Sequence, residues 1–95
     1  MKLKNKHKKV IVLGSTGSIG LSTLDIIKNN SELFKLTGLS FHSNIEIAVK
    51  QIKELNPRSV AVTGITEFDF PKTNITQSSL FFGINGLKTM LGKTD

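Results

Sequence analysis

Gly14, Gly17 and Gly20 are spaced three residues apart in the stretch Gly-Ser-Thr-Gly-Ser-Ile-Gly, directly behind the apolar run Val10-Ile11-Val12-Leu13. Glycines in this pattern have three uses. The first lets the chain turn sharply off a strand. The second removes the Cβ that would keep a diphosphate from the main chain, and the third lets a helix pack close to the strand. A helix starting here offers free N–H groups and the positive end of its dipole to an anion. Thr16 and Ser18 add hydroxyl donors. The indicated chemistry is dinucleotide binding through the phosphates, and the competing reading is an ordinary glycine-rich turn.

The end of the second strand bears on which dinucleotide is bound. A site for NAD usually has Asp or Glu there for the ribose 2′-hydroxyl. This chain has Ser40-Phe41-His42-Ser43-Asn44, and the nearest acids are Glu32, before the strand, and Glu46, inside the following helix. With no carboxylate to repel a 2′-phosphate, and with His42, Ser43 and Asn44 as donors, NADP is favoured, although no Arg or Lys stands there. Two readings of Ser43 stand side by side, as phosphate donor and as helix N-cap. His42 is equally open between donor and plain surface residue.

These residues need elements to place them. Lys9–Leu13 reads as a strand buried on both faces. Ser18–Asn30 reads as a helix with Ile19, Leu24, Ile26 and Ile27 on its apolar face, and Lys35–Phe41 as a second strand. Ser43–Asn56 is the clearest helix, with Ile45, Ala48, Val49 and Ile52 at helical spacing. Ser43 with Glu46 forms a capping box, Glu46 with Lys50 an i,i+4 pair, and Pro57 stops the helix. Ser59–Thr63 is a third strand. The βαβαβ order predicts an α/β fold with a parallel sheet and right-handed crossovers. Beyond Gly64 a loop is expected over 67–76, then a strand at 79–82 and a short helix at 85–91.

Composition narrows the class further. The 95 residues contain no cysteine, which excludes disulfides and Cys-based metal sites and fits a reducing, cytoplasmic setting. Five of the 13 basic residues lie in the first nine positions, while residues 10–95 hold eight basic and seven acidic side chains. The net charge of +6 is therefore a property of a basic tail, read as disordered over residues 1–8. No aromatic residue interleaves with its lysines, so nucleic acid is not an expected partner. The longest apolar run, four residues, is far below the roughly 18 needed to span a membrane, and no secretory signal is present. Gly86 to Gly92-Lys93-Thr94 misses P-loop spacing by one residue. Neither a metal-ligand set nor a Ser–His–Asp set can be nominated.

The stretch Val10–Gly20, with Ser22-Thr23-Leu24-Asp25-Ile26-Ile27 behind it, resembles the amino-terminal segment of the 1-deoxy-D-xylulose 5-phosphate reductoisomerases. Phe34, Asn44-Ile45 and Asn56-Pro57-Arg58 extend the resemblance, which is strong over about residues 9–63 and faint from 64 to 95. It implies that residues 9–95 are the first part of a Rossmann-like NADPH-binding domain. The family rearranges 1-deoxy-D-xylulose 5-phosphate and reduces the product with NADPH, giving 2-C-methyl-D-erythritol 4-phosphate for isoprenoid synthesis, with Mg²⁺ or Mn²⁺.

By the same resemblance, Thr16, Gly17, Ser18 and Ile19, flanked by Gly14 and Gly20, contact the cofactor phosphates, and Asn44 its adenosine end. The chain departs from the family at His42 and Ser43. The family's metal-binding acids, sugar-phosphate site and active-site loop lie beyond the matched region. The expectation is a truncated, partial domain, inactive alone, within a family that can form homodimers. A stand-alone NADP-binding module is the alternative. Neutralising Lys2, Lys4, Lys6, Lys8 and Lys9 should leave polynucleotide affinity unchanged in a salt-titrated binding assay. A loss of the size expected for five phosphate contacts would assign the tail to nucleic acid.

Overall fold

Strands and helices alternate through the first two-thirds of the chain, so each strand re-enters the sheet in the direction of the one before. The computed structural model describes residues 7–71 and 77–93. Their order is β1 (Lys8–Leu13), α1 (Ser18–Asn29), β2 (Phe34–Phe41), α2 (Ile45–Leu55), β3 (Ser59–Val62), β4 (Ser79–Phe82) and α3 (Gly83–Lys93). All pairings are parallel, and the sheet runs β1-β2-β3-β4. The strand at 79–82 is where it was expected, and α3 extends the expected helix at both ends. Of the expected 67–76 loop, residues 72–76 lie outside the described residues, as do residues 1–6 of the tail. Lys8, the last residue assigned to that tail, is already in β1.

Spatial order corrects one expectation. β1 is not buried on both faces: only Val12 is buried, and Leu13 is 54% exposed. Its apolar run reads like a central strand, but among the described residues it lies at the edge of the sheet. β3, flanked on both sides, is the strand buried at every residue.

A bulge completes the core. Leu36 and Leu39 are three apart, which in a regular strand would put them on opposite faces. The β1–β2 register runs Val10↔Leu36 and then Ile11↔Gly38, so Thr37 is an extra residue. Both leucines thereby enter one cluster with Val12, Leu24, Ile27, Phe41, Ala48, Ile52, Val60, Val62 and Phe70. Ala61, alternating with Val60 and Val62, is buried outside that cluster, as is Met90 of α3, which packs on β3 and β4.

The ends of α2 also differ from expectation. Asn44, not Ser43, is the N-cap, and its side chain accepts from the Ile47 N–H at 3.3 Å. Asn and Ser cap about equally well, and the helix starts late enough for Asn44 to take the position. The Ser43–Glu46 capping box is therefore absent, and Glu46 and Lys50 form no ion pair. At the other end the chain leaves the helix at Asn56, in the left-handed region at φ 52°, one residue before Pro57. Lys28 of α1 pairs with Glu54 of α2. The hydrogen bond to Glu54, with the attraction of its charge, raises the Lys28 pKa. That stabilisation is complete at neutral pH and is lost only as pH rises through the elevated value.

Leu39→Ala should cost about 2–5 kcal/mol in urea unfolding, because Leu39 is fully buried. Ile26→Ala, at a position 56% exposed, should stay within about 0.5 kcal/mol.

Candidate functional site

The β1–α1 turn relies on glycine in two ways: Gly14 supplies a left-handed backbone and Gly20 a close approach of main chain. Gly14 leaves β1 at φ 72°, in the left-handed region that costs other residues about 1–2 kcal/mol. Gly17 is the N-cap of α1, and its N–H closes the turn onto the Gly14 carbonyl at 3.1 Å. Gly20 lies against the same peptide: a Cβ there would stand 2.2 Å from the Gly14 oxygen and 2.7 Å from Ser15 Cα. A Cβ at Gly17 would meet nothing closer than the Gly14 oxygen at 3.6 Å. Close packing thus demands glycine at position 20 but not at position 17.

The turn is anchored from behind. Ser15 N–H donates to the Ser40 carbonyl of β2 at 2.8 Å, and the Gly14 N–H reaches Ser40 Oγ at 3.3 Å. Gln51 Nε2 on α2 donates to the Ser15 carbonyl at 2.8 Å. Ser15 is fully buried as a result. On the outer side, Gly17, Ser18 and Ile19 are exposed and Thr16 is half-buried.

The first helical bond of α1 runs from Leu21 N–H to the Gly17 carbonyl at 2.8 Å, so the amides of Ser18, Ile19 and Gly20 precede any helical acceptor. No side chain caps this end, and its first turn has no acidic residue. Three main-chain donors at the positive end of a helix, beside the Thr16 and Ser18 hydroxyls, can receive a phosphate.

Asn44 lies at the carboxyl end of β2, next in the sheet to the strand that carries the glycine turn. Its Oδ1 is committed to the α2 cap, which leaves Nδ2 as its outward donor. His42 is exposed but held: Nδ1 is 3.0 Å from Thr63 Oγ1, and the ring lies over Gly64, where a Cβ would come within 2.7 Å of it. Ser43 is exposed and makes no capping bond.

The nominated residues Gly14, Thr16, Gly17, Ser18, Ile19, Gly20 and Asn44 therefore share the carboxyl end of the sheet, where parallel α/β folds place their ligands. Ser40, Gln51, Thr63 and Gly64 also shape the site and were not nominated. For Gln51 a signal was available, because it is a polar residue on the helix face that carries Ala48 and Ile52. A cleft of about 500 Å³ lined by His7, Phe34, Lys35 and Asn56 opens at the opposite, amino end of the strands, away from these donors. Among the described residues no three His, Asp or Glu side chains gather as metal ligands.

A parallel sheet with a glycine turn closing its first strand onto a helix is a Rossmann-like α/β domain. The family model of 1-deoxy-D-xylulose 5-phosphate reductoisomerase matches residues 10–95, and the chain belongs to that family. It is 44% identical over 85 residues to the 1-deoxy-D-xylulose 5-phosphate reductoisomerase of Thermoanaerobacter sp. (strain X514), covering 88% of this chain and 22% of the relative. It is 43% identical over 74 residues to that of Thermotoga maritima, covering 78% of this chain and 19% of the relative.

Among solved structures, the Zymomonas mobilis reductoisomerase in complex with NADPH superposes with a TM-score of 0.77 at 26% identity, over 86% of this chain and 22% of that one. A DOX-P reductoisomerase with fosmidomycin and magnesium gives a TM-score of 0.79 at 22% identity, a likeness of fold, over 90% of this chain and 22% of that one. The chain spans about a fifth of the length of these relatives. The match through residue 95 also takes in the region beyond 63, where the sequence resemblance was faint.

The two glycines should separate folding from access to the turn. Gly20→Ala should lower stability by about 1–3 kcal/mol or more, since main chain must move to admit the methyl group. Gly17→Ala, at φ −78°, should cost about 1 kcal/mol or less. Thermal unfolding of the two variants checks the difference.

Proposed function

We propose that this chain forms the diphosphate-binding corner of an NADPH site in a 1-deoxy-D-xylulose 5-phosphate reductoisomerase. The supporting observation is the α1 N-terminus. Its first amides have no helical acceptor and no side-chain cap, and it sits behind a turn whose glycines keep Cβ atoms away. In this reading Thr16, Gly17, Ser18 and Ile19 bind the phosphates through main-chain N–H groups and hydroxyls. Gly14 and Gly20 give the turn its shape. Asn44 donates through Nδ2 at the adenosine end, with His42 beside it where an NAD site would carry a carboxylate.

The bound cofactor would supply a hydride. The residues of this chain orient it and take no part in bond making. Rearrangement and reduction of the sugar phosphate, the divalent Mg²⁺ or Mn²⁺ ion and the acid–base groups are assigned to parts of the family protein outside the matched fifth. The second wall of the cofactor crevice goes with them, because the order of the four described strands never reverses. A cytoplasmic location and a homodimeric state accompany this reading. The absence of cysteine supports the first and the family resemblance the second.

Titration with NADPH and NADH, on the protein and on its Gly17→Val variant, tests the proposal. The parent should prefer NADPH. Gly17→Val should fold and lose about tenfold or more in affinity for both nucleotides, as expected when side-chain bulk blocks main-chain contact with phosphate. Equal or absent binding in all four combinations would overturn it.

A further inference from the structure

Gln51 is a buried polar residue that the phosphate contacts leave without a use. It is only 7% exposed and shares a helix face with Ala48 and Ile52, both in the core. Its Nε2 reaches 36 residues back to the Ser15 carbonyl, while its Oε1, like Ser15 Oγ, is buried with no partner. An apolar side chain of the same size would fill this position without burying an unpaired oxygen, so packing alone does not account for an amide here.

The amide does fix the direction of one peptide unit. In a trans peptide the C=O and the N–H of the following residue point opposite ways. Gln51 holds the Ser15 carbonyl toward the core, so the Thr16 N–H is aimed away from it. That N–H makes no hydrogen bond within the described residues and leads into the row of amides at the start of α1.

We propose that Gln51 is a positioning residue for cofactor binding, acting through the Ser15 carbonyl to aim the Thr16 N–H at the diphosphate. This rests on the NADPH reading above and adds to it a residue on α2 that touches no ligand. Ser40 holds the preceding peptide from β2. The turn is thus gripped from two elements that fold around it.

The test compares NADPH affinity in the protein and in Gln51→Leu, Val49→Ala and Gln51→Glu, each measured well below its own unfolding temperature. Gln51→Leu keeps the volume and loses the donor, and its dissociation constant should rise about tenfold or more. Val49→Ala removes partly buried packing from the same helix without a bond to the turn, and its dissociation constant should stay within about twofold.

Gln51→Glu supplies a conditional rescue. A protonated carboxyl can donate to the Ser15 carbonyl, whereas a carboxylate repels it. Affinity for acid-stable NADP⁺, relative to the parent, should therefore recover as pH falls from mildly alkaline to mildly acidic. Gln51→Leu binding within about twofold of the parent, equal losses in Gln51→Leu and Val49→Ala, or no recovery in Gln51→Glu would each overturn the proposal. If Gln51→Leu does not fold, the Gln51→Glu profile decides. If the parent binds no NADPH, the cofactor reading fails instead. Amide exchange at Ser15 and Gly17 then reports the grip of Gln51: faster exchange in the variant supports it and unchanged exchange overturns it.

Discussion

Helix α1 rests directly on the Gly14–Ser15 peptide, and the rest of the site depends on that contact. The approach is so close that any side chain at position 20 would overlap the Gly14 oxygen. The same oxygen accepts the Gly17 N–H that closes the turn. Helix start and strand end are thereby locked to one carbonyl, and the uncapped amides of Ser18 to Gly20 have their direction set by main chain. Donors held this way need little reordering when an anion arrives, which is why such turns bind phosphate through backbone rather than through long charged side chains.

Holding the turn has a cost in stability. Gln51 buries an amide oxygen and Ser15 a hydroxyl, each without a partner. Unmade hydrogen bonds of this kind cost about 1–3 kcal/mol each. The surrounding core offsets them: Leu39, Phe41, Ala48, Val60 and Val62 are at most 1% exposed, and each well-buried large aliphatic or aromatic side chain contributes about 1.5–3 kcal/mol. Unsatisfied polarity gathers at one end of the sheet, while close apolar packing fills its middle, the division expected of a scaffold that carries a site.

Sheet order gives the strands unequal surroundings. β3 is covered on both sides and buried throughout, whereas β1, which carries the site, lies at an edge with Leu13 largely exposed. Ser40 of the neighbouring strand compensates by bonding both Gly14 and Ser15, so the turn takes its rigidity from β2 as much as from β1. Thr37, the extra residue in β2, accompanies the entry of both Leu36 and Leu39 into one core cluster. A small irregularity in pairing thus fills a core that strict alternation would have split.

Much of this was legible in the sequence because it is set by neighbours along the chain. The glycine spacing behind a β-branched run, the helical spacing of Ile45, Ala48, Val49 and Ile52, and the βαβαβ alternation each reflect local geometry. Together they led to the turn and the class of fold, whereas the family came from the resemblance carried by Val10–Gly20 and the residues that follow it. The tertiary structure decided what depends on distant partners. Among the described residues β1 lies at the edge of the sheet, because sheet order does not follow from strand composition. Asn44 took the cap that Ser43 could equally have held, because the two side chains cap about equally well and the folded chain starts the helix at Ile45. Gln51 acquired its contact with Ser15 only when α2 packed beside a turn 36 residues earlier in the chain, a juxtaposition no local pattern encodes.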